Sequence, residues 1–219
     1  MNLTTYQKAA HSTTCPGISF AFSLLSLGKT AGEVSATFGS YVAPCHQENT
    51  KFWELTRAKL KDKLGDVMWA VAEIATLSQM GLEDVFINHV EEIDSDRPQC
   101  KLFDDVKGLE WVDNALSSYD TASIIHAFPA VAGRVSGLFA KFMLDHGGRI
   151  PVPENEQQWL FPQECEEDLV EFYEDVFTWL GRVLLLVYRL TRVVDIDFDE
   201  ILQMNLTKLA ASKKPPSAE

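Results

Sequence analysis

Glu33 and Asp66 are the acids whose settings suggest chemistry. Glu33 lies in Leu25-Ser26-Leu27-Gly28-Lys29-Thr30-Ala31-Gly32-Glu33-Val34, on a helix entered through small residues. Asp66 lies in Lys61-Asp62-Lys63-Leu64-Gly65-Asp66-Val67-Met68-Trp69, mid-helix, beside a glycine that lets another helix come close. Carboxylates are hard oxygen ligands, and through a divalent cation they can meet phosphate.

Helices must position these acids. Helical periodicity dominates the chain, and no run alternates convincingly as a strand would. The spacing predicts a short helix over Leu3–His11, a longer one over Phe20–Tyr41 and a third over Asn49–Met80. In the third, Leu60, Leu64, Val67, Met68, Val71 and Ile74 form an apolar stripe, with Asp62, Asp66 and Glu73 on the polar side. Gly81 punctuates it, Leu82–Ile93 reads as a closing helix, and the polar Asp94–Gly108 as a connector.

The second half then repeats the first. Ala31-Gly32-Glu33-Val34-Ser35 resembles Ala132-Gly133-Arg134-Val135-Ser136, and Leu64-Gly65-Asp66-Val67 aligns on Leu180-Gly181-Arg182-Val183. The second alignment runs without a gap until Leu82-Glu83-Asp84-Val85 meets Phe198-Asp199-Glu200-Ile201. Two blocks in the same order imply an internal duplication. The expected organisation is a unit over 1–94, a connector over 95–108, a second unit over 109–212 and a tail over 213–219. In this register Glu33 meets Arg134, Asp66 meets Arg182 and Glu73 meets Arg189. Independent drift among helix-compatible polar residues explains such a pattern. So does a pseudo-dimer in which acids and arginines pair, or in which the arginines contact an anionic ligand's phosphates.

Composition narrows the classes. The 219 residues are 46% hydrophobic and 23% charged, ordinary values for a chain with a packed core, and disorder is excluded. With 19 Lys+Arg against 32 Asp+Glu the net charge is −13, which disfavours nucleic acid and anionic membranes as partners. Cys15, Cys45, Cys100 and Cys165 are far apart and read as free thiols of a reducing compartment. Ile18–Leu27 imitates a secretory segment but lacks a basic start, and Val183–Val194 is short and carries Arg189 and Arg192. A cytoplasmic location is expected.

The strings around Glu33 and Asp66 resemble the MazG-like family of all-α nucleoside triphosphate pyrophosphohydrolases. Leu64-Gly65-Asp66-Val67-Met68-Trp69 carries the likeness most clearly, and Leu3-Thr4-Thr5-Tyr6-Gln7-Lys8-Ala9-Ala10 is similar to the family's first helix. The likeness is good over Leu3–Ile93 and weaker to Leu209. It implies an all-α fold of two fused helical units forming a pseudo-dimeric bundle. It also implies Glu-x-x-Glu and Glu-x-x-Asp pairs holding Mg²⁺, which bridges a triphosphate and activates water.

This chain departs from that pattern. Thr30, Glu33, Lys63 and Asp66 fill the four positions of the first unit, and Val131, Arg134, Trp179 and Arg182 those of the second. Glu33 and Asp66 are therefore the catalytic candidates, with Asp62 and Glu73 as substitute metal ligands. The family's nucleotide-holding Asn and Lys are kept as Asn205 and Lys208, while the first unit has His89 and Glu92 there. With Arg134 and Arg182 they form the candidate nucleotide site; alternatively Asn205 caps a helix and Lys208 is a solvated charge. The resemblance implies a protein that binds a nucleotide or a protein partner with little or no hydrolysis. The alternative is a Mg²⁺-dependent pyrophosphohydrolase releasing pyrophosphate and a nucleoside monophosphate. A further homodimer stays open.

Other signals are bland. Gly28-Lys29-Thr30 lacks the upstream glycine of a P-loop. The acidic run Glu164–Asp175 suits a solvated helix start, or a relocated cation site through Glu171 and Asp175. The five tryptophans suit packing better than base stacking.

Overall fold

The computed structural model describes residues 1–14, 19–42, 50–93, 121–147 and 167–212. Among them it is all-α, with seven helices and no strand. These are α1 (Leu3–Thr13), α2 (Phe20–Val42), α3 (Thr50–Leu77), α4 (Leu82–Ile93), α5 (Thr121–Asp145), α6 (Glu167–Val193) and α7 (Phe198–Ser212). The first four lie within a few residues of the expected spans. The Asp94–Gly108 connector, the tail, the four cysteines, Trp111 and Trp159 lie outside the described residues.

Local chemistry sets the ends. Asn2 caps α1, its side chain accepting the Thr5 N–H at 2.8 Å. Gln7 of α1 ties the α3–α4 turn: its Nε2 donates to the Met80 carbonyl and its Oε1 accepts the Leu82 N–H, both at 2.8 Å. That turn places Gln79 at φ 57°, with the Gln79 N–H on Thr76 O and the Met80 N–H on Ala75 O, a Schellman ending. The same turn recurs at the aligned position of the second half. Asp195 has φ 52°, with its N–H on Arg192 O and the Ile196 N–H on Thr191 O.

Packing crosses between the halves. Helix α2 packs on α3 and on α5, and α5 on α6. The closing helices reach over: α7 packs on α3, and α4 on α6. One continuous core results, joining Tyr6, Leu27, Phe38, Leu64 and Met68 to Phe128, Phe139, Leu180 and Ile201, all 1% exposed or less. The stretch His126–Asp145 of α5 is apolar and long enough to cross a membrane by composition alone. Its Phe128, Ala132, Val135, Phe139 and Phe142 are buried in this core.

Candidate functional site

The acids of α2 and α3 converge where α7 crosses them. Glu33 comes from α2, Asp62 and Asp66 from successive turns of α3, and Lys208 from α7. Lys63, on the same face, points its ammonium into the group. Its Nζ lies 2.8 Å from Glu33 Oε2, 3.9 Å from Asp66 Oδ2 and 4.0 Å from Asp62 Oδ2. Lys208 Nζ donates to Asp62 Oδ1 and Asp66 Oδ1, each at 2.7 Å. Lys29, one turn before Glu33, stands 3.8 Å from it. Three carboxylates thus meet three ammoniums.

The electrostatics follow. The hydrogen bond to Lys63 holds the Glu33 carboxyl below its ordinary value, and partial desolvation opposes this without reversing it. Lys63 is raised, first by the bond to Glu33. Desolvation pulls Lys208 down, but its bonds to Asp62 and Asp66 outweigh that and leave it raised.

Behind the cluster the packing is dry. Asn205 is 1% exposed in the middle of α7, so it caps nothing. Its Oδ1 accepts the Tyr6 hydroxyl at 2.8 Å, and its Nδ2 is buried without a hydrogen-bond partner. Tyr6 is pushed well above its ordinary value, by burial first and then by Asp66 and Glu73. Gly65 is what admits this helix. A Cβ there would stand 3.0 Å from Asn205 Cβ and 3.3 Å from Asn205 Nδ2.

The candidates divide accordingly. Glu33, Asp62, Asp66 and Lys208 come together, with Asn205 just beneath. Glu73, two turns along α3, is committed to α1 instead. It is 1% exposed, accepts the Thr14 hydroxyl at 2.6 Å, and its other oxygen lies 3.2 Å from His11 Nδ1. Glu33 and Asp66 find lysines rather than Arg134 and Arg182. Those arginines instead flank Trp179, with Cζ 5.6 Å and 4.2 Å from the ring centroid. Among the described residues, charges that cross between the halves include Lys61 to Glu200, Arg57 to Asp195 and Lys208 to the aspartates, all from α3 to α7 or the turn before it, and the Met1 ammonium to Asp199.

No family model, curated protein or solved structure matches the chain. The geometry therefore speaks for itself. Carboxylates of this kind suit Mg²⁺, but here their oxygens already face ammoniums at 2.7 to 2.8 Å. As arranged, the residues do not fit a metal, and among the described residues no group of three or more His, Cys, Asp or Glu is disposed to hold one. Gly28-Lys29-Thr30 is plain helix, Thr30 Oγ1 donating to Ser26 O at 2.8 Å. Glu171 and Asp175 line a cavity of about 350 Å³ between α5 and α6, with Asp145, Asp168, Lys141 and His146.

Two residues carry more than the sequence analysis assigned them. Lys63 reads there as a lost ligand, although its position between two acids on one helix face is what a built-in counter-cation needs. Tyr6 is given no role there beyond its place in the first-helix string, and the α7 crossing gives its hydroxyl a partner in Asn205.

Proposed function

We propose that the chain is a MazG-like nucleotide-handling protein in which lysine ammoniums stand where the family holds metal, so that it binds a nucleotide with little or no hydrolysis. The observation that carries this reading is Lys63, whose Nζ sits 2.8 Å from Glu33 and within 4.0 Å of both aspartates. An ammonium neutralises carboxylates but offers no open coordination position and activates no water. The reciprocal packing of α7 on α3 and α4 on α6, with the repeated turn at Gln79 and Asp195, supports two fused units arranged as a pseudo-dimer.

The test is a thermal-shift series over all NTPs and dNTPs, with EDTA and with Mg²⁺, followed by a pyrophosphate-release assay. The expected result is stabilisation by a nucleotide in EDTA and no release in Mg²⁺. Mg²⁺-dependent release that is lost in Glu33→Gln establishes the pyrophosphohydrolase instead. No response to any nucleotide leaves the fold without the binding function proposed for it.

A further inference from the structure

The second half has its own cluster at the positions aligned with Glu33, Lys63 and Asp66. Arg134 projects from α5, and Trp179 and Arg182 from α6, one turn apart and therefore on one face. The Arg182 Cζ stacks 4.2 Å from the Trp179 ring centroid and the Arg134 Cζ lies 5.6 Å from it. Trp179 is half-buried and its ring packs on the core, while both arginines are exposed. The indole is thus a fixed platform, and the guanidiniums resting on it are held but not covered.

Their charge is unspent. The protein has 32 acids against 19 basic residues, yet neither Arg134 nor Arg182 has a carboxylate partner among the described residues. Asp175, one turn before Trp179, lines the α5–α6 cavity with Leu138 and Phe142 rather than pairing with either. A guanidinium held over a ring face without a carboxylate partner still has N–H donors to offer, and its fork matches a phosphate or carboxylate. Two such forks on one ring have already lost much of their rotamer freedom, which lowers the cost of ordering them around a ligand. Adjacent forks also suit an anion with charge on more than one centre better than a single carboxylate.

We infer that Arg134, Trp179 and Arg182 form a receptor for a polyphosphate, the di- or triphosphate group of a nucleotide or its inorganic counterpart. The inference rests on the reading of a nucleotide-binding, non-hydrolysing chain and names the part of the molecule that meets the phosphates. No metal takes part, so binding persists in EDTA. Because the contact is charge to charge at an exposed surface, it weakens as salt rises.

The experiment is calorimetric titration of the full chain in EDTA with inorganic tripolyphosphate, and separately with the nucleotide giving the largest thermal shift. Wild type is expected to bind both. Arg182→Gln and Arg134→Gln should each weaken binding about tenfold or more, and Arg182→Lys should weaken it less, because the charge stays while the fork is lost. Lys8→Gln, at an exposed lysine of α1 outside both clusters, should leave tripolyphosphate binding unchanged. Unaltered melting temperature and helicity in Arg182→Lys keep the comparison free of folding effects. Nucleotide affinity well above that of tripolyphosphate, still lost in Arg182→Gln, assigns the natural ligand to nucleotides; equal affinities assign it to phosphate chains alone. Wild-type affinity in Arg182→Gln, or no tripolyphosphate binding by wild type, overturns the receptor. Nucleotide binding that survives both arginine variants also overturns it while leaving the non-hydrolysing reading intact. Tripolyphosphate binding without any nucleotide response does the reverse.

Discussion

Lys63 and Trp179 occupy aligned positions, and each is the centre of a three-residue cluster with opposite electrostatics. In the first half an ammonium stands among carboxylates, with Glu33 at 2.8 Å and Asp66 at 3.9 Å. In the second an indole carries two guanidiniums, Arg134 and Arg182. Three side chains at the aligned positions come together in both places, whatever their sign. The central residue then answers its neighbours, a cation for acids and a π-face for cations. The difference lies in what is left over: the first cluster is satisfied internally, and the second keeps its donors.

The comparison breaks most readily at Lys63. Lys63→Glu removes an ammonium and adds a fourth carboxylate. The expected loss is about 2–3 kcal/mol, between an exposed pair and the one-sided break of a buried one, or about 4–12 °C in melting temperature. Added Mg²⁺ should restore much of it. An unchanged melting temperature in EDTA would mean that Lys63 does not hold the acids.

Trp179→Lys transplants the first centre into the second cluster and sets an ammonium between two guanidiniums. Calorimetric melting should show a loss of about 1–2 kcal/mol, shrinking at high salt because the repulsion is partly exposed. A loss insensitive to salt would point to packing alone.

Gly65→Ala tests how the last helix closes the first cluster. The added Cβ meets Asn205 at 3.0 Å, so α7 must shift by a few tenths of an ångström at a cost of about 1 kcal/mol. The Lys208 ammonium, raised by its bonds to Asp62 and Asp66, should move back down in an NMR titration as it retreats from them. Unmoved titrations would separate α7 packing from the cluster's charge.

The smallest effect is in acid. The Glu33 carboxyl lies below its unfolded value of about 4.3, so its contribution is present above that pH and is lost as pH falls through the lower folded value. The melting-temperature gap between wild type and Glu33→Gln should be flat above about pH 5 and narrow toward pH 2. A constant gap would show that charge is not what Glu33 contributes.

Much of this architecture was legible beforehand, for identifiable reasons. The stripe Leu60, Leu64, Val67, Met68, Val71, Ile74 has the helical period, and all six side chains are fully buried. Gly65 beside Asp66 foretold a close helix crossing, and Asn205 is the residue that crosses. The partners were not legible, because they depend on which helices meet. Asp62 and Asp66 share the polar face of α3 with Glu73 in sequence terms and Glu33 meets the first two from α2, yet α1 claims Glu73 through Thr14 and His11. The proposed pairing of those acids with Arg134 and Arg182 met lysines instead, because Lys63 and Lys208 were already within reach. Trp179 looked like packing, and half of it is; that its ring is shared by two arginines needs the α5–α6 contact to be seen.

The crossing of α7 onto α3 has a consequence for the order in which the chain is made. Asn205 and Lys208 leave the ribosome long after Tyr6 and Asp66, the residues they meet. Until then Tyr6 has no partner for its hydroxyl, and Asp62 and Asp66 have one ammonium fewer. The first half therefore waits for α7 to be made before its interior is complete. A chain cut short before α7 leaves bare the α3 face at Gly65 on which Asn205 packs.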